Sequence, residues 1–337
     1  MSKGIDRRTL LKGASTATIM ALLRGEADAA PGAATAAAAA KRERGALDSA
    51  GRRAFSGNQT ITMLVPDRLY RVGCVVRAER LSWLPTDLEG FEPVNSYVLT
   101  DPNNCVFFEM GLPIARPALQ QAVETLVGNR KVYVDFTRNE ADCIGNMGYI
   151  LGTCPNPTLL YGTAGGILEW INDPAVALLE VRNFLGRIPI ESAHNGESKD
   201  IGELRFEWFD SAIKMMLMTQ WAYEKSTKCL FTSEAFGFRH APTMDSPVVI
   251  DSPRNLPSAD SVAREIVARC NWMREADFPN IMTRVKSVFD EHDIEFLAPV
   301  HGCVIKGHAA IAAHVKVTLE ALHIASKIPD QERLQYV

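Results

Sequence analysis

Lys131-Val132-Tyr133-Val134-Asp135-Phe136-Thr137-Arg138-Asn139-Glu140-Ala141-Asp142-Cys143-Ile144-Gly145 carries the reading of this chain. Its first six residues read as a strand, and the remainder as a loop that gathers ionisable side chains before a helix reaching Leu151. Upstream, a helix fills Ala115 to Val127 and is ended by Gly128. Before it, Asn95 to Thr100 and Cys105 to Glu109 read as strands joined by the turn Asp101-Pro102-Asn103-Asn104, with further strands at Thr60 to Val65 and Leu69 to Val76. Downstream come a strand near Leu159-Leu160-Tyr161 and a helix from Pro174 to Leu185. Ile201 to Trp208, Ile213 to Met218 and Lys228 to Phe231 read as strands of a second sheet. Helices around Ala259 to Ala276 and Ile281 to His292, a strand from Glu295 to Pro299 and a helix from Gly307 to Ser326 complete the order. Short β-rich runs alternating with helices indicate a layered α/β domain, and no internal repeat interrupts it.

Composition excludes several classes of function. The chain has 337 residues, 47% apolar and 23% charged, which is ordinary for a globular protein. Its formal net charge of −4, with no basic stripe in the body of the chain, lacks the electrostatic footprint of nucleic-acid binding. No run of 18 apolar residues occurs, so no transmembrane helix is expected in the mature protein. Seven cysteines without a CxxC pair are an odd and scattered set, not a disulfide framework.

The N-terminus reads as an address. Asp6-Arg7-Arg8-Thr9-Leu10-Leu11-Lys12, the apolar stretch Gly13 to Leu23 and the small-residue site Ala27-Asp28-Ala29 resemble a twin-arginine signal. Residues 1–29 are therefore expected to be a signal peptide directing the protein to the periplasm, 30–59 a flexible linker and 60–337 the folded domain. The alternative is an Ala-rich extension on a cytoplasmic protein, because Arg24 cuts the apolar run short.

Four segments then occur in a recognisable order. They are Gly90-Phe91-Glu92-Pro93-Val94-Asn95-Ser96-Tyr97-Val98-Leu99, Phe107-Phe108-Glu109-Met110-Gly111, Leu230-Phe231-Thr232-Ser233-Glu234-Ala235-Phe236-Gly237 and Ala298-Pro299-Val300-His301-Gly302. Together with the Thr137 to Gly145 loop, they resemble the metallo-β-lactamase superfamily, and within it the oxygen-binding di-iron branch that forms the core of flavodiiron proteins. The resemblance runs from about Thr60 to Lys306 and implies a four-layer αββα sandwich and a homodimer.

The same resemblance implies a di-iron site, from which this sequence departs. The family loop Thr-His-x-Glu-x-Asp-His-x-Gly is matched with Arg138 at the first histidine and Cys143 at the second, while Glu140 and Asp142 remain. A third histidine position falls on Met215, the bridging aspartate is Glu234, and the last histidine is His301. The first metal would lose its imidazoles, and carboxylates alone hold a redox iron poorly. Asp142, Glu234 and His301, with Cys143, Glu140 or water, remain sufficient for one divalent metal, iron or zinc. A complete di-iron centre is not expected. Arg138 instead offers a permanent charge that can pair with Glu140 and Glu234 in place of a metal.

Two readings therefore stay open, a metal-free pocket and a mononuclear one. As an enzyme acting on a small molecule, the chain would use His301 with a carboxylate as acid and base and Arg138 as an anion clamp. Other possibilities are a catalytically silent binding or scaffolding protein, and a metal-dependent hydrolase. No flavodoxin-like FMN domain is expected after Lys306, and redox chemistry would then need an external electron donor. His194 and His240 read as surface histidines, with His240 near enough to the Glu234 segment to swing inward. Met216 and Met218 read as core or pocket wall and Lys214 as solvated.

Overall fold

One sheet is built from β1 (Arg52–Ala54), β2 (Gln59–Val65), β3 (Leu69–Arg77), β4 (Phe91–Thr100), β5 (Asn104–Phe108), β6 (Lys131–Asp135), β7 (Thr158–Gly162) and β8 (Ile190–Ala193), paired in that order, and β3 to β6 are buried along most of their length because both faces are covered. The structure, a computed structural model, describes residues 52–54, 59–81, 83–85, 87–162, 188–214, 218–270 and 276–328. The expected signal peptide, most of the expected linker, the expected helix from Pro174 to Leu185, and Met215 and Met216 lie outside the described residues. β1 falls within the stretch expected as linker and pairs antiparallel with β2.

The second sheet contains β9 (Ser198–Ile201), β10 (Leu204–Asp210), β11 (Gln220–Glu224), β12 (Cys229–Phe231), β13 (Val249–Ile250), β14 (Phe296–Ala298) and β15 (Val304–Lys306), in the spatial order β13-β15-β14-β12-β11-β10-β9. Two expectations change here. Ile201 to Trp208 is a hairpin broken at Gly202, whose φ of 62° is left-handed and where a Cβ would stand 2.1 Å from Asp101 Oδ2. Ile213 is not in a strand, because the Ser211 hydroxyl bonds the Ile213 carbonyl and turns the chain; the strand forms later, at β11.

Among the described residues the α-helices are α1 (Arg116–Ala122), α2 (Ala141–Ile144), α3 (Met147–Thr153), α4 (Ala259–Arg269), α5 (Phe278–Glu291) and α6 (His308–Ala325). α4 and α5 start at Ser258 and Asp277, whose side chains accept from the backbone N–H groups of Ser261 and Asn280. Apolar clusters assign the layers. Leu119, Ile150 and Leu151 pack on the outer face of the first sheet, and Val262, Ile266, Val285 and Leu322 on that of the second. Between the sheets lie Tyr97, Phe108, Phe206, Trp208 and Phe231. Phe108 stacks on Phe231 with ring centroids 4.1 Å apart, and each buried ring of this kind contributes about 1.5–3 kcal/mol. The result is an αββα sandwich whose strand-end loops converge.

Candidate functional site

The loop after β6 delivers the first half of the site. Arg138 lies on it, Glu140 precedes α2, and Asp142 sits in the first turn of α2. The turn after β12 delivers Glu234 and is tightly wound: the Thr232 hydroxyl donates to the Ala235 carbonyl at 2.6 Å, and Ser233 and Phe236 adopt φ of 58° and 67°. Left-handed backbone at such residues costs roughly 1–3 kcal/mol each and persists where the surroundings over-determine it. His301 follows β14. Asn95 holds both of its flanks, donating at 2.8 Å to the carbonyls of Pro299 and of Gly302, while the Tyr97 hydroxyl donates to Pro299 at 2.7 Å. Gly237 backs the same loop so closely that a Cβ there would lie 2.1 Å from the His301 carbonyl oxygen.

These segments bring Arg138, Glu140, Asp142, Glu234 and His301 together. Arg138 has no solvent exposure, and all three of its guanidinium nitrogens are engaged. Nε donates to Glu140 at 2.6 Å, Nη1 to the Ser233 hydroxyl at 2.5 Å, and Nη2 to both Asp142 Oδ2 and Glu234 Oε1. His301 is equally buried; its Nε2 lies 2.6 Å from Asp142 Oδ2 and 3.5 Å from Glu234 Oε1. These contacts are ionic in geometry, since neither ring nitrogen makes an aligned hydrogen bond and Asp142 Oδ1 has no partner. Trp83 covers the imidazole with ring centroids 4.5 Å apart. Glu140 alone reaches solvent, with 43% of its side chain exposed.

Electrostatics follow from this packing. Burial disfavours the charged form of His301, but Asp142 and Glu234 outweigh it and lift the imidazole to about 9. Burial likewise opposes ionisation of Asp142 and Glu234, and Arg138 overcomes it, holding both below the usual carboxylate range. Two buried cations therefore face two buried anions.

The donor set does not fit a di-iron centre. Arg138 puts a permanent cation on Asp142 Oδ2 and Glu234 Oε1, in the place of an imidazole ligand, and Cys143 turns its sulfur toward Thr137 Oγ1, 3.9 Å away, within the apolar core. Met215 lies outside the described residues. Among the described residues, the one group with metal-ligand spacing is Asp142, Glu234 and His301, whose ligand atoms lie within 4.8 Å of one another. Arg138 holds one oxygen of each carboxylate, and Asp142 Oδ1 stays without a hydrogen-bond partner.

Several features escaped the sequence reading. Ser233 completes the Arg138 cradle. Glu109 and Asp135 are buried carboxylates, each pushed by burial up to about 7. His240 is not a surface residue and does not swing into the pocket. Its Nδ1 meets Glu92 Oε2 and its Nε2 meets Glu265 Oε1 at 2.8 Å, while Arg269 Nη2 lies 3.3 Å from Glu92 and 3.1 Å from Glu265. The spacing of Glu265 and Arg269 by one helical turn was the available signal for this second cluster. Lys214 pairs with Asp210 at 2.6 Å, and Met218 is half exposed.

No family model matches the sequence, and no curated protein sequence matches it. The fold is nevertheless that of solved flavodiiron proteins, which belong to the metallo-β-lactamase-fold superfamily. The rubredoxin oxygen:oxidoreductase of the anaerobe Desulfovibrio gigas is 15% identical with a TM-score of 0.57, matching 80% of this chain and 62% of its own. The flavodiiron protein of Giardia intestinalis is 16% identical with a TM-score of 0.52, over 80% and 60% of the respective chains. A putative diflavin flavoprotein fragment from Nostoc is 14% identical with a TM-score of 0.54, over 80% and 98%. This chain thus spans somewhat less than two thirds of the first two proteins. Among the described residues, no helix is long and apolar enough to cross a membrane.

Proposed function

We propose that this chain is a flavodiiron-type core that has exchanged its redox metals for an internal cation, and that it serves as an exported, non-redox binding protein for a small molecule. The carrying observation is the contact of Arg138 Nη2 with both Asp142 Oδ2 and Glu234 Oε1. A planar guanidinium there neutralises carboxylates that would otherwise repel one another. With His301 protonated, Arg138 and His301 balance Asp142 and Glu234 without any ion.

The same geometry argues against the catalytic roles. An anion clamp needs guanidinium nitrogens turned toward a substrate, and those of Arg138 are all committed to the protein. An acid–base histidine must reach the reacting atom, and His301 has no exposed surface. A site without redox metal needs no electron donor. Export by the twin-arginine route and pairing with a second copy are part of the proposal.

A second reading, one divalent iron or zinc ion on Asp142, Glu234 and His301, is favoured by one observation. Both ring nitrogens of His301 and Asp142 Oδ1 are buried without hydrogen-bond partners. Elemental analysis of the full chain purified without chelator separates the two. Neither iron nor zinc in stoichiometric amount is expected; one ion per chain would establish the second reading in place of the first, and two irons per chain would overturn both.

A further inference from the structure

Arg71, on β3, has no solvent exposure, and among the described residues it has no salt-bridge partner. Its acceptors are all neutral. Nε donates to Asn95 Oδ1 at 2.7 Å, Nη1 to the Thr60 hydroxyl at 2.6 Å, and Nη2 to the carbonyls of Cys74 and Val94 at 3.0 and 3.2 Å. A buried charge without a counterion is unfavourable, and these four acceptors compensate it.

Strand register brings them within reach. Thr60, Gly73 and Asn95 are cross-strand neighbours on β2, β3 and β4, and Arg71, two residues before Gly73, shares its face of the sheet. Gly73 has no side chain, so the guanidinium can bridge from Thr60 to Asn95; a Cβ at Gly73 would stand 3.1 Å from Arg71 Nη2 and 2.0 Å from the Val94 carbonyl oxygen.

A guanidinium donates and cannot accept, so the Asn95 atom that meets Arg71 Nε has to be the oxygen. The amide nitrogen is thereby turned the other way, where it donates at 2.8 Å to the carbonyls of Pro299 and of Gly302, on either side of His301. With the amide reversed, its oxygen would face two carbonyl oxygens, and both flanks of His301 would lose their donor. A neutral side chain able to accept as well as donate, in place of Arg71, would leave either orientation open.

We propose that Arg71 is a positioning residue of the site: it sets the orientation of the Asn95 amide and, through that amide, the seat of the His301 loop beneath Trp83. The inference rests on the proposed function only in counting His301 as part of the site. Its test needs no ligand, so the two can fail separately.

The His301 ring protons report that seat, because the Trp83 indole, with ring centroids 4.5 Å apart, displaces their resonances by its ring current. Proton–carbon NMR spectra of the full chain measure the displacement, with His301→Gln assigning the signal and Trp83→Leu giving its undisplaced position. In Arg71→Met and in Asn95→Ala the displacement should fall by about half or more, and in the double variant by no more than in either single one, since both substitutions act through the same amide. Circular dichroism establishes that each variant folds. If Arg71→Met does not, Arg71→Gln takes its place with the same expectation, because its amide can donate or accept. A parent-like displacement in the folded Arg71 variant, or a loss in the double variant equal to the sum of the single losses, would overturn the proposal.

Discussion

Arg138, on the loop after a strand of one sheet, meets Glu234, on the turn after a strand of the other, across 96 positions of sequence. The contact joins the two halves of the sandwich at the point where strand-end loops converge, and Asp142 shares the same guanidinium nitrogen.

Removing that guanidinium should leave Asp142 and Glu234 buried and unpaired except through His301. Arg138→Ala is expected to cost about 3–5 kcal/mol near neutral pH. Arg138 holds both carboxyls low, so its loss allows them to take up protons, and acidification should recover part of the stability. Urea unfolding at pH 5 and pH 8 measures this. A variant as stable as the parent at both values would refute the replacement of metal by arginine.

His301 makes a second prediction with the opposite chemistry. Its folded-state value of about 9 lies above the usual 6.5, so its contribution is complete below pH 6.5 and disappears as pH rises through about 9. The parent should lose stability over that window, and His301→Gln should lose this part of the slope. Imidazole NMR titration of the parent provides an independent measure; a midpoint near 6.5 would contradict the packing argument.

Asp135 supplies a third. It accepts from the Trp208 indole N–H at 2.8 Å across the two sheets, yet burial without a cation raises it to about 7. An acid raised on folding stabilises below its unfolded value near 4 and loses that contribution as pH rises through 7. Asp135→Asn should therefore flatten the stability profile between pH 4 and 7, by roughly 1.4 kcal/mol for every tenfold change in proton affinity that the substitution removes. A profile identical to the parent would show the carboxyl to be ionised and satisfied at acidic pH.

Gly237 is expected to tolerate no side chain. A Cβ would clash with the His301 carbonyl at 2.1 Å, and Gly237→Ala should cost about 1–3 kcal/mol by shifting that loop. Differential scanning calorimetry reads the change, and an unaltered melting temperature would mean the two loops separate easily.

For export, Arg7→Lys with Arg8→Lys should retain the protein in the cytoplasm, because the machinery reads the arginine pair and not positive charge alone. Cell fractionation with an antibody to the folded domain checks this; unchanged periplasmic accumulation would point to another route or to an ordinary extension.

Much of the fold was legible because its cues are local. Short β-rich runs marked β2, β3, β5 and β6, and Gly128 marked the end of the α1 region, where its φ is 54°. The strand expected from Ile213 to Met218 does not include its described residues Ile213, Lys214 and Met218, and the Ser211 hydroxyl on the Ile213 carbonyl is a local competition that composition does not reveal. His240 was misplaced for a different reason: its partners Glu92 and Glu265 lie 148 and 25 positions away, and no local pattern joins them.

By itself the sequence determined the alternation of strands and helices from β2 to β7, and the placing of Arg138, Glu140 and Asp142 on one loop with Glu234 and His301 on two others. These are properties of residue type and spacing. Tertiary structure alone decided that Arg138 takes Asp142 as well as Glu140 and Glu234, that Cys143 faces the core, and that His301 is sealed beneath Trp83. The physical reason is that a charge is neutralised by whatever lies within a few ångströms, and in a sandwich those neighbours come from loops that only the pairing of distant strands brings together.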